Sequence, residues 1–156
     1  MYHVTLIAVL VVLFPFKVLA QEPAPMVEIL SKDDAQAMFA MTEDQWLANV
    51  QGALASGMAK PIGTPESGVG MAMSTAEGDI LIVRPSYGED KQNPEFIQVT
   101  VGYHDPRSAV LTDAALNEAI QAAQAQMKPE YDVMANVERI TGGVSLFFII
   151  TEGKHR

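Results

Sequence analysis

The sequence contains no cysteine among its 156 residues. This absence excludes a disulfide framework, catalysis by a thiol and every metal site that needs thiolate ligands. A hydrophobic core must therefore hold the fold together, and a chain of this size is expected to form one domain. Hydrophobic residues make up 49% of the sequence, which is enough for such a core.

Basic residues are scarce as well, with 10 Lys and Arg against 19 Asp and Glu, so the formal net charge is −9. The few Lys and Arg are scattered along the chain rather than grouped. Nucleic acids and anionic membrane surfaces bind to clustered basic side chains. The composition therefore argues against both as partners.

The longest apolar run covers residues 4–14, and it is shorter than the roughly 20 residues that a membrane-spanning helix needs. Val18 and Ala20 occupy the two positions that a signal peptidase recognises. The pattern predicts a signal peptide over residues 1–20 and export to a periplasm or out of the cell, with no membrane attachment after cleavage. The alternative is an uncleaved signal anchor in the membrane, because no Lys or Arg precedes the apolar run.

Cleavage after Ala20 also removes Lys17, the only charged residue of this segment, so the mature chain carries a formal charge of −10. Residues 21–31 are predicted to form a flexible lead-in because they contain two prolines. Residues 32–152 are predicted to form a single domain. Residues 153–156 are predicted to be a charged tail.

Helical spacing of apolar residues is present in three segments. Residues 31–41 predict a short helix. A longer helix follows, since Thr42 and Gln45 have the spacing of a capping box and Gly57 is placed to end it. Trp46, the only tryptophan, lies in the middle of the apolar stripe of this helix and is predicted to be a core residue.

A second long helix is predicted between Thr112, its capping residue, and Pro129, which ends it. Its apolar stripe consists of Leu116, Ile120, Ala123 and Met127. Strands are predicted at residues 69–74, 80–84, 96–103, 133–140 and 144–151, and residues 59–68 are predicted to be a loop. The last two strands are expected to form a hairpin that turns at Gly142 and Gly143.

This order, α-β-β-β-α-β-β, predicts a two-layer α+β domain in which two main helices pack on an antiparallel sheet of about five strands. One interpretation of the order is a duplicated helix–strand–strand unit, because Thr42 and Trp46 match Thr112 and Leu116 at the same spacing. The alternative is that shared capping and core periodicity produce the match without duplication.

His104 is a candidate catalytic base, because it stands beside Asp105 at the end of a predicted strand. A hydrolase would use it together with a serine and an acid that orients the imidazole. Adjacent residues of an extended chain point to opposite sides, so Asp105 is poorly placed for that role. The sequence also lacks a nucleophile motif. The alternative interpretation is a turn through Asp105 and Pro106.

Four methionines form closely spaced pairs, namely Met38 with Met41 and Met71 with Met73. Thioethers are ligands that Cu(I) accepts, so copper binding is one hypothesis for an exported protein. Packing in the core is the other, because methionine fills irregular spaces well. No other metal site and no organic cofactor is predicted.

Two predicted strands are apolar on both faces, which is typical of strands covered on both sides. The candidate partner or ligand surface on them consists of Ile80, Leu81, Ile82, Val83, Phe147 and Ile149. The helix around residues 35–41 would be the simplest cover for the second sheet face, and a homodimer or a bound partner is the alternative. We therefore expect an exported, acidic, non-enzymatic domain that binds a protein or a small ligand through an apolar sheet face. A hydrolase that uses His104 and a methionine copper site are the alternatives.

Overall fold

A computed structural model describes residues 30–74 and 78–153. Its helices are α1 (Lys32–Phe39), α2 (Glu43–Ala55), α3 (Arg107–Val110) and α4 (Asp113–Met127). Its strands are β1 (Lys60–Ile62), β2 (Gly70–Ser74), β3 (Ile80–Tyr87), β4 (Pro94–His104), β5 (Tyr131–Ile140) and β6 (Gly143–Glu152). The predicted signal peptide, most of the predicted lead-in and all but the first residue of the predicted tail lie outside the described residues.

The strands form one antiparallel sheet in the order β1-β2-β3-β4-β6-β5. The α+β class and the antiparallel sheet are therefore confirmed. Six strands are present in the described part of the chain instead of about five, because Lys60–Ile62 pairs with β2 inside a segment that was predicted to be a loop. The single turn of α3 was not predicted either.

The three longer helices begin where the sequence predicts. Ser31 is the N-cap of α1, and its hydroxyl accepts a hydrogen bond from the amide of Asp34. Thr42 and Gln45 form the predicted capping box of α2, in which each side chain accepts from the backbone amide of the other. The hydroxyl of Thr112 caps α4 by accepting from the amide of Ala115, so local side-chain chemistry determines where each of these helices starts.

The helices pack on one face of the sheet, and the hydrophobic core lies between the two layers. Alternate residues of the central strands are buried there; those of β4 and β6 are Ile97, Val99, Val101, Tyr103, Val144, Leu146, Phe148 and Ile150. Trp46 joins this core at 4% exposure, as predicted. Its indole N–H donates to the carbonyl oxygen of Val69 at 2.6 Å, which ties α2 to the segment that leads into β2.

Helix α1 belongs to the same layer and does not cover the opposite face of the sheet. Ala35, Met38 and Phe39 are buried in the common core, and the ring of Phe39 stacks on that of Tyr131 at a centroid distance of 5.5 Å. The Nδ2 of Asn93 donates to the carbonyl of Phe39 at 2.8 Å and fixes the end of the helix. The expectation that this helix would be the second cover of the sheet is therefore wrong.

The β5–β6 hairpin turns one residue earlier than predicted. Ile140 pairs with Gly143, so the two loop residues are Thr141 and Gly142, and Gly142 has a φ of +78°. Gly143 is instead the first residue of β6, where a Cβ would stand 2.9 Å from the carbonyl oxygen of Tyr103. The first of the two glycines provides the turn and the second permits a close strand contact.

The order helix–strand–strand recurs as α2-β2-β3 and α4-β5-β6, but the equivalent positions on β3 and β6 face opposite sides of the sheet. Ile80 in β3 corresponds to Val144 in β6 by sequence spacing. Val144 is buried under the helices at 1% exposure, whereas Ile80 points to the other side of the sheet. The two units therefore match in element order but differ in which side of the sheet the residues of their second strands face.

Within residues 30–74 and 78–153, none of the helices combines the length and the apolar character that crossing a bilayer requires.

Candidate functional site

The side of the sheet that faces away from the helices, called the open face here, has no covering layer in the described part of the chain. Strand pairing defines its rows of residues. One row runs Ala72, Ile82, Thr100, Phe147, Asn136, and the next runs Gly70, Arg84, Gln98, Ile149, Met134. A third row runs Ser74, Ile80, Gly102, Ser145, Glu138. All the residues of the rows except Gly70 are half-buried or exposed.

Four of the six residues proposed as a binding surface lie on the open face. Ile80 and Ile82 of β3 and Phe147 and Ile149 of β6 form two apolar ridges on either side of β4. Leu81 and Val83 lie instead in the core beneath the helices, at 5% and 3% exposure. These two residues are therefore part of the packing that holds the sheet to the helices and not of the surface.

Further apolar residues extend the open face beyond the residues predicted from sequence. Met134 and Ile140 on β5 are 66% and 56% exposed, which is unusual for large apolar side chains. Phe96 on β4 is half-buried on the same face. The alternation along β5, with Val133 and Ala135 facing the core, is the signal that could have identified Met134.

Polar side chains are set among the apolar ones. The guanidinium of Arg84 donates to Oε1 of Gln98 at 2.7 Å, directly across the β3–β4 pair. The neighbouring glycine leaves room for this side chain, because a Cβ on Gly70 would stand 3.0 Å from the Cβ of Arg84. At the other edge, Asp132 and Glu138 project from β5 on the same face.

A cavity of about 450 Å³ opens at the corner of the sheet, where the β1–β2 loop, the start of α2 and the ends of β3 and β4 meet. Lys91 and Glu43 form an ion pair at 2.8 Å within its lining. The hydroxyl of Tyr87 donates to the carbonyl of Thr42 at 3.3 Å. Burial, together with the nearby carboxylate of Glu43, raises the pKa of Tyr87 to about 12, so the phenol stays neutral and remains a donor at physiological pH.

The candidate catalytic base is His104. It is exposed at the end of β4, and within the described residues no serine or carboxylate is hydrogen-bonded to its imidazole. The hydroxyl of Ser108 instead donates to the carboxylate of Asp105, which closes the turn into α3. Asp105 and Pro106 therefore lie in a turn that leads into α3, as in the alternative interpretation of this segment.

The four methionines lie in the hydrophobic core or pack against it. Met38 and Met71 are buried in the core at 6% and 4% exposure, and Met73 packs against it from β2. The Sδ of Met41 accepts a hydrogen bond from Nδ2 of Asn49 at 3.2 Å. Among the residues that the structure describes, no group of three or more His, Asp or Glu side chains could hold a metal ion.

Comparison with known proteins gives no relative to set beside this geometry: no family model matches the sequence, and no curated protein or solved structure is detectably similar to it.

Proposed function

We propose that this protein is an exported, acidic, non-enzymatic domain that acts by binding another protein chain through the open face of its sheet. One observation carries the proposal. The sheet is covered by helices on one side only, and the other side presents two apolar ridges without a covering layer among the described residues.

Exposing the apolar side chains of the open face to water costs free energy. An antiparallel sheet can keep one solvated face, and that face is then normally polar. Here Ile80 and Ile82 alternate with core residues, and so do Phe147 and Ile149. Burial of apolar area stabilises an assembly by about 25 cal/mol per Å², and contiguous exposed apolar patches mark interaction sites. Association through this surface is therefore favourable.

The polar residues within the face support a specific contact rather than general adhesion. Gln98 and Thr100 place hydrogen-bonding groups between the apolar ridges, and Asn136 places one beside the β6 ridge. Arg84 adds a charge that is already oriented by Gln98. Protein interfaces combine an apolar centre with polar groups that reject unsuitable partners.

Small-ligand binding at the same face is a second candidate, and the corner cavity favours it. Its volume of about 450 Å³ lies within the usual range for ligand sites. Arg84, Phe96 and Gln98 line the cavity and also belong to the open face, so the two features are continuous. The ion pair between Glu43 and Lys91 already occupies part of its polar lining.

A photoreactive residue tests whether the open face is the binding surface. We expect p-benzoylphenylalanine in place of Phe147 to give a discrete covalent adduct with another protein chain in cells that make the protein. The matched control carries the same residue in place of Gln121, which is exposed on α4 on the opposite side of the molecule. Denaturing electrophoresis resolves the adducts. The same adducts from both positions, or none from either, would count against the proposal.

Export is tested separately by the start of the mature chain. We expect N-terminal sequencing of the protein from the exported fraction to begin at Gln21, because Val18 and Ala20 form the cleavage site. Replacing Ala20 by Leu should block processing, since the peptidase requires a small residue there. Recovery of the unaltered chain at full length in the membrane fraction would favour the signal anchor instead.

A further inference from the structure

We infer that the chain bound at the open face is a second copy of this protein, packed face to face about a two-fold axis that runs along β4. The inference rests on the proposed function, because it names the partner of the same surface. The first observation is charge. Lys60 and Arg84 lie on one side of β4 and Asp132 and Glu138 on the other, so two basic residues of this face are balanced by two acidic ones.

This balance matters because the chain as a whole has a formal charge of −9 and repels its own copies. The open face is a surface through which two copies can approach without that penalty. Its charges are also self-complementary. Rotation about an axis along the strands brings the side with Lys60 and Arg84 over the partner's acidic β5 side, whereas an axis across the strands would bring the acidic sides of the two copies together.

Side-chain size selects the same axis. On β2 the open face carries small residues, and on β5 it carries large ones; the pairs brought together are Gly70 with Met134, Ala72 with Asn136 and Ser74 with Glu138. These strands lie two places from β4 on either side. A two-fold axis along β4 therefore places β2, with its small side chains, opposite β5 of the partner, with its large ones. The two surfaces then interlock.

The apolar ridges meet in the same arrangement. Ile82 lies in the row of Phe147, one strand from β4 on the other side. The rotation places it over Phe147 of the partner subunit, and the reciprocal contact follows by symmetry. Thr100 and Gly102 lie at the axis, where short side chains let the ridges approach.

The available area is sufficient for a reversible dimer. Five strands overlap at about 4.8 Å each, and four rows lie about 6.8 Å apart when the row of Phe96 and Asp132 is included. The face is therefore roughly 600 Å², so two copies bury roughly 1,200 Å². This is the lower limit of standard interfaces. We therefore expect a dissociation constant of roughly micromolar order, which makes the dimer dependent on concentration.

Sedimentation equilibrium of the purified protein over a concentration series measures the dissociation constant of the dimer. The expected result is a shift from the mass of one chain to that of two. Phe147→Asp should raise the dissociation constant more than about 100-fold, because it buries a carboxylate at the centre of the contact. Gln121→Asp, which adds the same charge on α4, should leave it unchanged. Far-ultraviolet circular dichroism confirms that both variants are folded.

Cross-linking tests the axis, and the absence of cysteine makes single-cysteine variants unambiguous. A short bifunctional maleimide bridges the roughly 10 Å between packed sheets. Ala72→Cys and Asn136→Cys are each expected to give no cross-linked dimer alone and a strong one when the two are mixed. Efficient self-linking of Asn136→Cys would overturn the proposed axis.

The outcomes separate this inference from the proposed function. A strict monomer at all concentrations whose residue 147 nevertheless links to a different protein overturns the dimer and supports the binding face. A strict monomer without any adduct overturns both. An adduct of twice the chain mass from position 147, together with concentration-dependent sedimentation, supports both.

Discussion

Phe148→Ala is expected to lower the free energy of unfolding by about 3–5 kcal/mol, whereas Phe147→Ala should lower it by less than about 1 kcal/mol. The two residues are neighbours of the same type on β6. Phe148 is fully buried under the helices at 0% exposure, and Phe147 lies half-buried on the open face. Truncation leaves a cavity in the first case and only removes partly hydrated surface in the second.

Urea titration followed by circular dichroism measures both values. The protein concentration must be low enough to keep all variants monomeric, because dimerisation adds to the apparent stability. If the variants and the unaltered protein have the same slope of the transition, differences between their midpoints report differences in stability. Equal losses from the two substitutions would mean that both faces of the sheet are covered in the folded chain.

Trp46→Ala should also lower the free energy of unfolding by about 3–5 kcal/mol, because it removes the largest side chain of α2 from the core. The indole makes a second contribution through its hydrogen bond to the carbonyl of Val69 at 2.6 Å. Trp46→Phe keeps much of the volume and removes the donor, so it should cost about 1–3 kcal/mol. The difference between the two variants separates packing from hydrogen bonding.

Fluorescence provides an independent check, since Trp46 is the only tryptophan. Native emission is expected to be blue-shifted relative to the unfolded chain, because the side chain is 4% exposed. Emission at the wavelength of a hydrated indole in the folded protein would contradict this placement.

The helices were predictable because their boundaries are encoded locally. The capping residues Ser31, Thr42 and Thr112 each act on the amide three residues away, and no tertiary contact is needed to recognise them. The position of α1 in the fold was not predictable in the same way. Its apolar residues would fit either face of the sheet, and the stacking of Phe39 on Tyr131, far away in sequence, decides between them.

The candidate surface was predicted in part for a related reason. Residues 80–83 are apolar at every position, so alternation along the strand does not show which side faces the helices. Strand pairing shows which side of the sheet each residue faces. Val83 lies opposite Val99 and Ile82 opposite Thr100, and because β4 alternates clearly, Val83 faces the helices and Ile82 faces the open side. Strand β1 was missed because its three residues lie within a segment rich in Pro and Gly.

The position of β6 has a consequence for how the chain folds. This strand is the last in sequence, yet it lies between β4 and β5, and Thr100 pairs with Phe147 across a long stretch of chain. Contacts between distant residues close large loops and slow folding. Strand β4 keeps an unpaired edge until β6 has been synthesised, so the sheet is completed only after Gly143–Glu152 is available. The domain should therefore fold late and as a unit, and it is most exposed to misassembly in the interval before its final strand is inserted.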